Sequence, residues 1–386
     1  MSPAEWYNRR MSPGGRRFPP ELKYILLLFV VTRLVLTIVG VTARQVMPPS
    51  ADRALVYNYT PHNWLNIWTV YDSKWYLEIA QQGYPHGPNI PEEPLHAFAF
   101  FPLYPLLTKI LSSIIGNFYL AAILIANAAL ITSAWFLYKL VYTQFGEPAA
   151  KRTILFLFLF PTSFIFSAVY TESLFLLLTL MTLYFARRGH WVIASTCGLL
   201  ASLTRSLGMF LVVPLAYEYW RSRKNESRPL RWNVLTLFLP ILGFLLYAAG
   251  NRLATGSWLT FIQVQTVVPW NRTLGNPIWF IVQGLASHSA VLKTWAVVAT
   301  VSLAALLAGW RRLGTTLAIT GALFIIVPLA TGLLSMLRFT AVVFPLFILL
   351  GLMTKNKLVA MAVAIILIPA QIVLMSLWTN AYYVMI

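Results

Sequence analysis

Apolar residues along this chain fall in long blocks rather than in alternation. Blocks near residues 24–43, 118–141, 153–169, 173–187, 191–206, 208–220, 233–250, 289–309, 314–335, 339–354 and 358–379 are almost free of charge. Several approach or exceed the ~20 residues a helix needs to cross a ~30 Å hydrocarbon layer. Barrel strands would alternate outward and inward residues over about ten positions, and these blocks do not. The pattern predicts an all-α polytopic membrane protein with about eleven transmembrane helices. The shorter blocks are expected to tilt or to be buried within protein.

The stretch from Phe100 to Gly116, "FFPLYPLLTKILSSIIG", is apolar enough to join that set. Pro102 and Pro105, however, leave only about eleven residues of uninterrupted helix, roughly 16 Å. Leu107, Ile110, Leu111, Ile114 and Ile115 recur at helical spacing, with Thr108, Lys109, Ser112 and Ser113 between them. This pattern predicts an amphipathic helix lying in the membrane interface.

Composition sharpens the class. Of 386 residues, 59% are hydrophobic and only 10% charged, too few charges to cover a soluble fold of this length. Basic residues outnumber acidic ones 29 to 11, for a net charge of +18. In a membrane chain such an excess marks cytoplasmic loops and contacts anionic headgroups, so it does not call for nucleic acid. With the Phe100 segment in the interface, one side receives Arg9, Arg10, Arg16 and Arg17, Lys151 and Arg152, Arg187 and Arg188, the cluster "RSRKNESRPLR" from Arg221 to Arg231, Arg311 and Arg312, and Lys355 and Lys357. The positive-inside rule makes that side cytoplasmic. The expected organisation is one membrane-embedded domain over 1–386, with a basic cytoplasmic N-terminus at 1–23 and the C-terminus outside. External loops cover 44–117 and 251–288. The arginines before the first block resemble a signal anchor, and the block is long for a cleaved leader. Cys197 stands alone, so neither an internal disulfide nor a cysteine-cluster metal site is expected.

The candidate chemistry sits on one face. Of the carboxylates, Glu5, Glu21, Glu147, Glu218 and Glu226 fall on the cytoplasmic side, and Asp52, Asp72, Glu78, Glu92, Glu93 and Glu172 outside. Asp72 precedes "SKWYLEIAQQG", a short helical stretch closed by Gly83. It suits either a helix N-cap or a general base held at the membrane surface. Glu78 fits a solvated helix face. Glu172, in "FPTSFIFSAVYTESLFLLL", lies in a hairpin close to hydrocarbon, where an acid is costly unless partnered; capping the next helix is its other role. Arg205 and Arg338 stand at external ends of apolar blocks, where topology statistics do not require arginine. Either they snorkel to headgroups or they use forked donors to hold phosphate, with Arg272 a weaker candidate for the same work. Trp75, Glu93, His96 and Tyr170, in the same loop and hairpin, are expected substrate contacts. His86 and His96 share the loop with Glu92 and Glu93 but match no strong ligand spacing, so no metal and no cofactor is expected.

Three blocks together, "YDSKWYLEIAQQGY…AFAFFPLYPLL", "FPTSFIFSAVYTESLFLLL" and "LTRSLG", resemble the PIG-V family of glycosyltransferases, within the GT-C superfamily. They stand in the family's order over roughly residues 68–210. The resemblance implies a GT-C fold and transfer of a mannosyl-type sugar from a polyprenyl-phosphate donor to a glycolipid or glycan acceptor on the external or lumenal face. It places the catalytic aspartate at Asp72 and extends to Ala97, Phe98, Phe101, Pro102, Pro161, Ser163, Tyr170, Glu172, Ser173 and Arg205. Tyr71 departs from the tryptophan usual before that aspartate, and the compact chain suggests a prokaryotic member. The expected location is a cell membrane: cytoplasmic in a prokaryote, endoplasmic reticulum in a eukaryote. A secondary transporter or a lipid or glycolipid flippase is the alternative from another class, and a lipid-binding scaffold a third. A transporter would favour repeats and mid-membrane charges, which the sequence does not display.

Overall fold

The computed structural model describes residues 19–383 apart from 49, 52, 88–89 and 227–231. Glu5, the four N-terminal arginines, Asp52, Arg228, Arg231 and the Glu226 side chain therefore lie outside the described residues. Most of the rest is helical; among the described residues the β pairing is a single isolated bridge, Val56 to Val70. In chain order the helices are α1 (Pro20–Val46), α2 (Ser73–Gln82), α3 (Leu103–Ile115), α4 (Phe118–Phe145), α5 (Glu147–Leu159), α6 (Glu172–Arg187), α7 (Trp191–Ser202) and α8 (Val212–Glu226). They continue with α9 (Leu239–Thr255), α10 (Pro277–Ala286), α11 (Ala290–Leu313), α12 (Thr315–Leu329), α13 (Met336–Ala341), α14 (Pro345–Met353) and α15 (Lys357–Thr379). Short helices at Asn63–Asn66, Glu92–Leu95 and Thr260–Gln263 sit in the two long loops.

Every block expected to span carries helix. Five helical stretches among the described residues are long and apolar enough to cross by length: α1, α4, Trp232–Thr255, α11 and α15. The other six expected spans are shorter helices, interrupted by unwound or 3-10 turns. Breaks of this kind survive at membrane depth only where protein satisfies the freed backbone groups. α4 sits centrally, packed on α1, α3, α5 and α6. Aromatic side chains fill the interior, with Trp295, Trp378, Tyr104 and Tyr170 almost wholly enclosed.

The most consequential break lies between α5 and α6. The block at 153–169 is expected to be one helix, but the helix stops at Leu159, and residues 160–171 run through a 3-10 turn at Ser163–Ser167. Pro161 lacks an N–H and disfavours helix in the residue before it. Two polar side chains from neighbouring helices satisfy the opened backbone. Arg33 of α1, itself buried, donates through Nη1 to the Ser163 carbonyl at 2.9 Å and through Nη2 to Ser163 Oγ at 3.0 Å. Gln371 of α15 donates to the Phe158 and Phe160 carbonyls, both at 3.0 Å. At the far end the Val169 N–H donates to the Trp68 carbonyl, tying the segment to the first loop. The break delivers Tyr170, Thr171 and Glu172 as a fixed group.

α3 follows Glu92–Ala99 at a 95° bend, so the pair is no straight crossing. Its sides differ in detail from the sequence pattern. Thr108 and Ser112 turn inward with Tyr104, while Leu106, Ile110 and Ile114 face outward. An outward apolar face suits contact with lipid. Gly116 ends the helix in the left-handed region at φ 72, the usual glycine stop. If α3 stays on one side, cysteines at Ser113 and near Gly146 label from opposite faces in a Cys197→Ala background. Gly146 has φ 82, which disfavours a side chain, so the exposed neighbour Glu147→Cys carries the probe. Labelling of Glu147→Cys by a membrane-impermeant thiol reagent added outside intact cells overturns the arrangement.

Candidate active site

Asp72 is placed by the turn before α2. The Val56–Val70 bridge, the Tyr71 N–H donating to the Leu55 carbonyl at 2.9 Å and a left-handed Tyr71 (φ 55) aim the chain into the helix. A non-glycine residue held at positive φ costs about 1–2 kcal/mol and persists only where its surroundings enforce it. Asp72 occupies the N-cap position, but its side chain makes no cap hydrogen bond. Its backbone is αR (φ −63, ψ −12), whereas a capping residue is usually extended so that its side chain can turn back to the free N–H groups. The carboxylate points instead at Arg338, whose Nη1 donates to Oδ2. Oδ1 makes no hydrogen bond among the described residues.

Arg338 arrives from α13, whose start is set by Ser335, also left-handed at φ 66. Its guanidinium joins both candidate acids, since Nε donates to Glu172 Oε1 at 2.5 Å while Nη1 holds Asp72. The same guanidinium lies over the Tyr170 ring, 4.3 Å from its centroid. Glu172, the first residue of α6, is fully buried. Arg205 Nη1 also donates to its Oε1 at 2.5 Å, and to Thr171 Oγ1 at 3.3 Å. Glu172 Oε2 is buried without a partner. A lone carboxylate there would be prohibitive; two guanidinium groups make it tolerable.

Arg272, from the second long loop, completes the group. It donates to Thr331 Oγ1 at 3.2 Å and to the Leu334 carbonyl at 3.3 Å and makes no ion pair among the described residues. Burial, with Arg338 nearby, pulls its pKa down to about 10. The Arg205 and Arg272 guanidinium groups both lie over the Phe339 ring, 5.3 and 5.2 Å from its centroid. Three arginines face two carboxylates, leaving one positive charge in excess. Beside Arg272 opens a cavity of about 500 Å³, lined in part by Trp270, Phe280, Gln283, Thr331 and Leu333. Its wall is mostly apolar, with the Arg272 cation among its lining residues. An anion with a hydrocarbon tail fits such a surface.

The sequence profile of the family described as mannosyltransferase (PIG-V) matches residues 21–222, just over half the chain, including Asp72, Glu172 and Arg205. The chain belongs to the PIG-V mannosyltransferase family. No curated protein matches it by sequence. Its fold is similar to the crystal structure of ArnT from Cupriavidus metallidurans bound to undecaprenyl phosphate, with a TM-score of 0.52 at 14% identity, covering 93% of this chain and 76% of that one. The Archaeoglobus fulgidus oligosaccharyltransferase tethered to an acceptor peptide is a more distant likeness, with a TM-score of 0.45 at 12% identity over 92% of this chain and 55% of that one. The fold is that of the GT-C membrane glycosyltransferases, and the chain is a multi-pass membrane glycosyltransferase.

The remaining expected contacts of this PIG-V-family enzyme divide into two sets. Trp75 of α2 and His96 form an aromatic wall with Phe100 and Trp270: Trp75 stacks on Phe100 at 6.0 Å, and His96 meets Trp75 at 5.9 Å and Trp270 at 5.1 Å edge-on. His96 Nε2 is buried and unpartnered. Tyr170, by contrast, is spent on support: its hydroxyl donates to the Val70 carbonyl at 2.9 Å and its ring backs Arg338. Glu93 is not brought into the group; it is exposed and reaches Lys74 at 3.5 Å. Glu78 likewise pairs with Lys74, at 3.6 Å, on the half-exposed side of α2. Among the described residues no three His, Cys, Asp or Glu side chains gather around a common point. Phe339, Trp270 and Thr171 were not singled out from sequence. Each lies within two positions of a residue that was, and nearness to Arg338, Arg272 and Glu172 was the signal available.

Proposed function

We propose that this enzyme moves a sugar, mannose most directly, from a polyprenyl-phosphate donor to a hydroxyl of a glycolipid or glycan acceptor on the external or lumenal face. The observation that carries the proposal is the convergence of Asp72 with Arg205, Arg272 and Arg338 beside an amphipathic cavity. Asp72 accepts the acceptor hydroxyl proton through Oδ1. The acceptor oxygen bonds to the sugar anomeric carbon, the bond from that carbon to the phosphate oxygen breaks, and polyprenyl phosphate leaves. One base and one displacement invert the anomeric centre. The charge growing on the departing phosphate is met by guanidinium groups, so the scheme routes no step through a metal. Glu172, held through Oε1 by two arginines, acts as a positioning residue for Arg205 and Arg338. Trp75 and His96 line the sugar's path.

In this proposal residues 1–386 work as one membrane-embedded domain, with the 44–117 loop carrying the base and the 251–288 loop supplying Arg272. The undecaprenyl phosphate held by ArnT supports a lipid-phosphate donor by analogy. The test is transfer by purified protein in liposomes, across polyprenyl-phosphate mannose, other hexoses and a pentose, with mass spectrometry of the product. Mannose transfer with inverted configuration is expected. Absence of transfer from every donor, together with solute uptake by the same proteoliposomes, would falsify the proposal in favour of a transporter.

A further inference from the structure

A second ionic cluster lies at the other end of the bundle. Glu172 and Arg187 are the first and last residues of α6, about 22 Å apart along its axis. At the Arg187 end, Glu218 of α8 is almost completely buried, with 3% of its side chain exposed. Both its oxygens are used. Oε1 accepts from Thr316 Oγ1 at 2.7 Å and Arg187 Nε at 3.3 Å, and Oε2 accepts from Arg221 Nη2 at 2.6 Å. Arg187 Nη1 donates to Gln144 Oε1 at 2.8 Å, and Gln144 Nε2 donates to the Leu313 carbonyl at 3.1 Å. This network joins the ends of α4, α6, α8, α11 and α12 around a cavity of about 400 Å³, lined by Thr143, Gln144, Arg187, Arg221, Gly314 and Thr316.

The donors facing the cavity exceed what the protein uses. Arg187 Nη2 and the Nε and Nη1 of Arg221 make no hydrogen bond among the described residues. Two guanidinium groups stand against one carboxylate, so the cluster keeps one positive charge. Arg188, Arg223, Lys224, Arg311 and Arg312 lie on the same helix ends and add to it. The nearby acid Glu147, at the start of α5, is engaged by Lys151 at 2.8 Å. A cradle with forked, unused donors, side-chain hydroxyl and amide groups and a positive field matches a phosphate group. Basic recesses between helix ends at a membrane's cytoplasmic surface suit the phosphate of an anionic lipid.

We infer that the recess between Gln144, Arg187, Arg221 and Thr316 binds a phosphate group at the bundle end remote from Asp72, separately from the transfer site. The headgroup of an anionic phospholipid and free phosphate share this chemistry, and two arms of one experiment separate them. Full-length protein is reconstituted in phosphatidylcholine with or without phosphatidylglycerol, and retained lipid is counted by native mass spectrometry. In parallel, thermal unfolding in phosphatidylcholine alone is followed with inorganic phosphate. Arg221→Gln removes unused donors, and Gln144→Glu keeps an acceptor for Arg187 while cancelling the excess charge, so it serves if Arg221→Gln does not fold.

The wild type is expected to retain phosphatidylglycerol over phosphatidylcholine, and each variant to lose that preference by at least about tenfold, the worth of one charge-assisted hydrogen bond. Stabilisation of the wild type alone by inorganic phosphate, without lipid preference, identifies free phosphate as the occupant and supports the site. Equal lipid retention and equal phosphate response in wild type and folded variants overturn it.

Discussion

Replacing Asp72 by asparagine is expected to lower turnover by about 10²–10⁴-fold, the range for loss of a general base. The asparagine keeps the size and can still accept a hydrogen bond from Arg338, but it cannot take the acceptor's proton. A cap role would have made this change silent for stability, since asparagine caps as well as aspartate. The structure removes that role: Asp72 makes no cap bond, and its carboxylate is an ion-pair partner of Arg338. Folded Asp72→Asn should therefore also be less stable than wild type, by less than the ~1.5–3 kcal/mol of a hydrogen bond to a charged group, because the bond from Arg338 survives and only the opposite charge is lost. The decisive measurement is turnover of well-folded variant at saturating donor and acceptor. Near wild-type turnover would remove Asp72 as the base. Glu172 would not inherit the role easily, because two arginines already hold it.

Arg338→Met is expected to have the larger effect on stability. It withdraws the cation that Asp72 and Glu172 share, whose side chains are 13% and 0% exposed. Removing one partner of a buried pair costs about 3–5 kcal/mol because the other is left as an uncompensated charge. Arg205 still holds Glu172, so the loss falls mainly on Asp72 and on the packing of Arg338 against Tyr170. Arg338→Lys should recover only part, because one ammonium cannot reproduce the separate Nε and Nη1 bonds. Arg272→Met supplies the contrast. With no ion pair to break, it should cost less stability than Arg338→Met while weakening donor affinity by roughly ten- to a hundred-fold. Unfolding midpoints and donor titrations on the three variants read both quantities. An Arg338→Met protein as stable as wild type would show that the network is not held by this arginine.

The class of this protein and several members of its site were legible in the chain itself. Long charge-poor blocks without alternation indicate membrane helices, because only helices and closed barrels satisfy the backbone in hydrocarbon and barrel strands alternate. The Pro102 and Pro105 pair disqualifies Phe100–Gly116 from a straight crossing for a local steric reason, and the 95° bend before α3 agrees. Acids and arginines at the ends of apolar blocks stand out because burying them is costly without a purpose, which is how Asp72, Glu172, Arg205, Arg272 and Arg338 came into view one by one. Their pairing was not legible. Asp72 and Arg338 are 266 positions apart, and whether they meet depends on how α13 packs against the loop before α2. The same packing turned Asp72 from a plausible cap into an ion-pair partner, spent Tyr170 on support and left Glu93 on the surface with Lys74. The break at 160–171 shows the division most clearly. Pro161 marks where helix must fail, but the broken segment is stable only because Arg33 and Gln371, from helices near the two ends of the chain, satisfy its carbonyls. Local sequence determines which backbone groups are set free, and only the tertiary structure decides which side chains come to meet them.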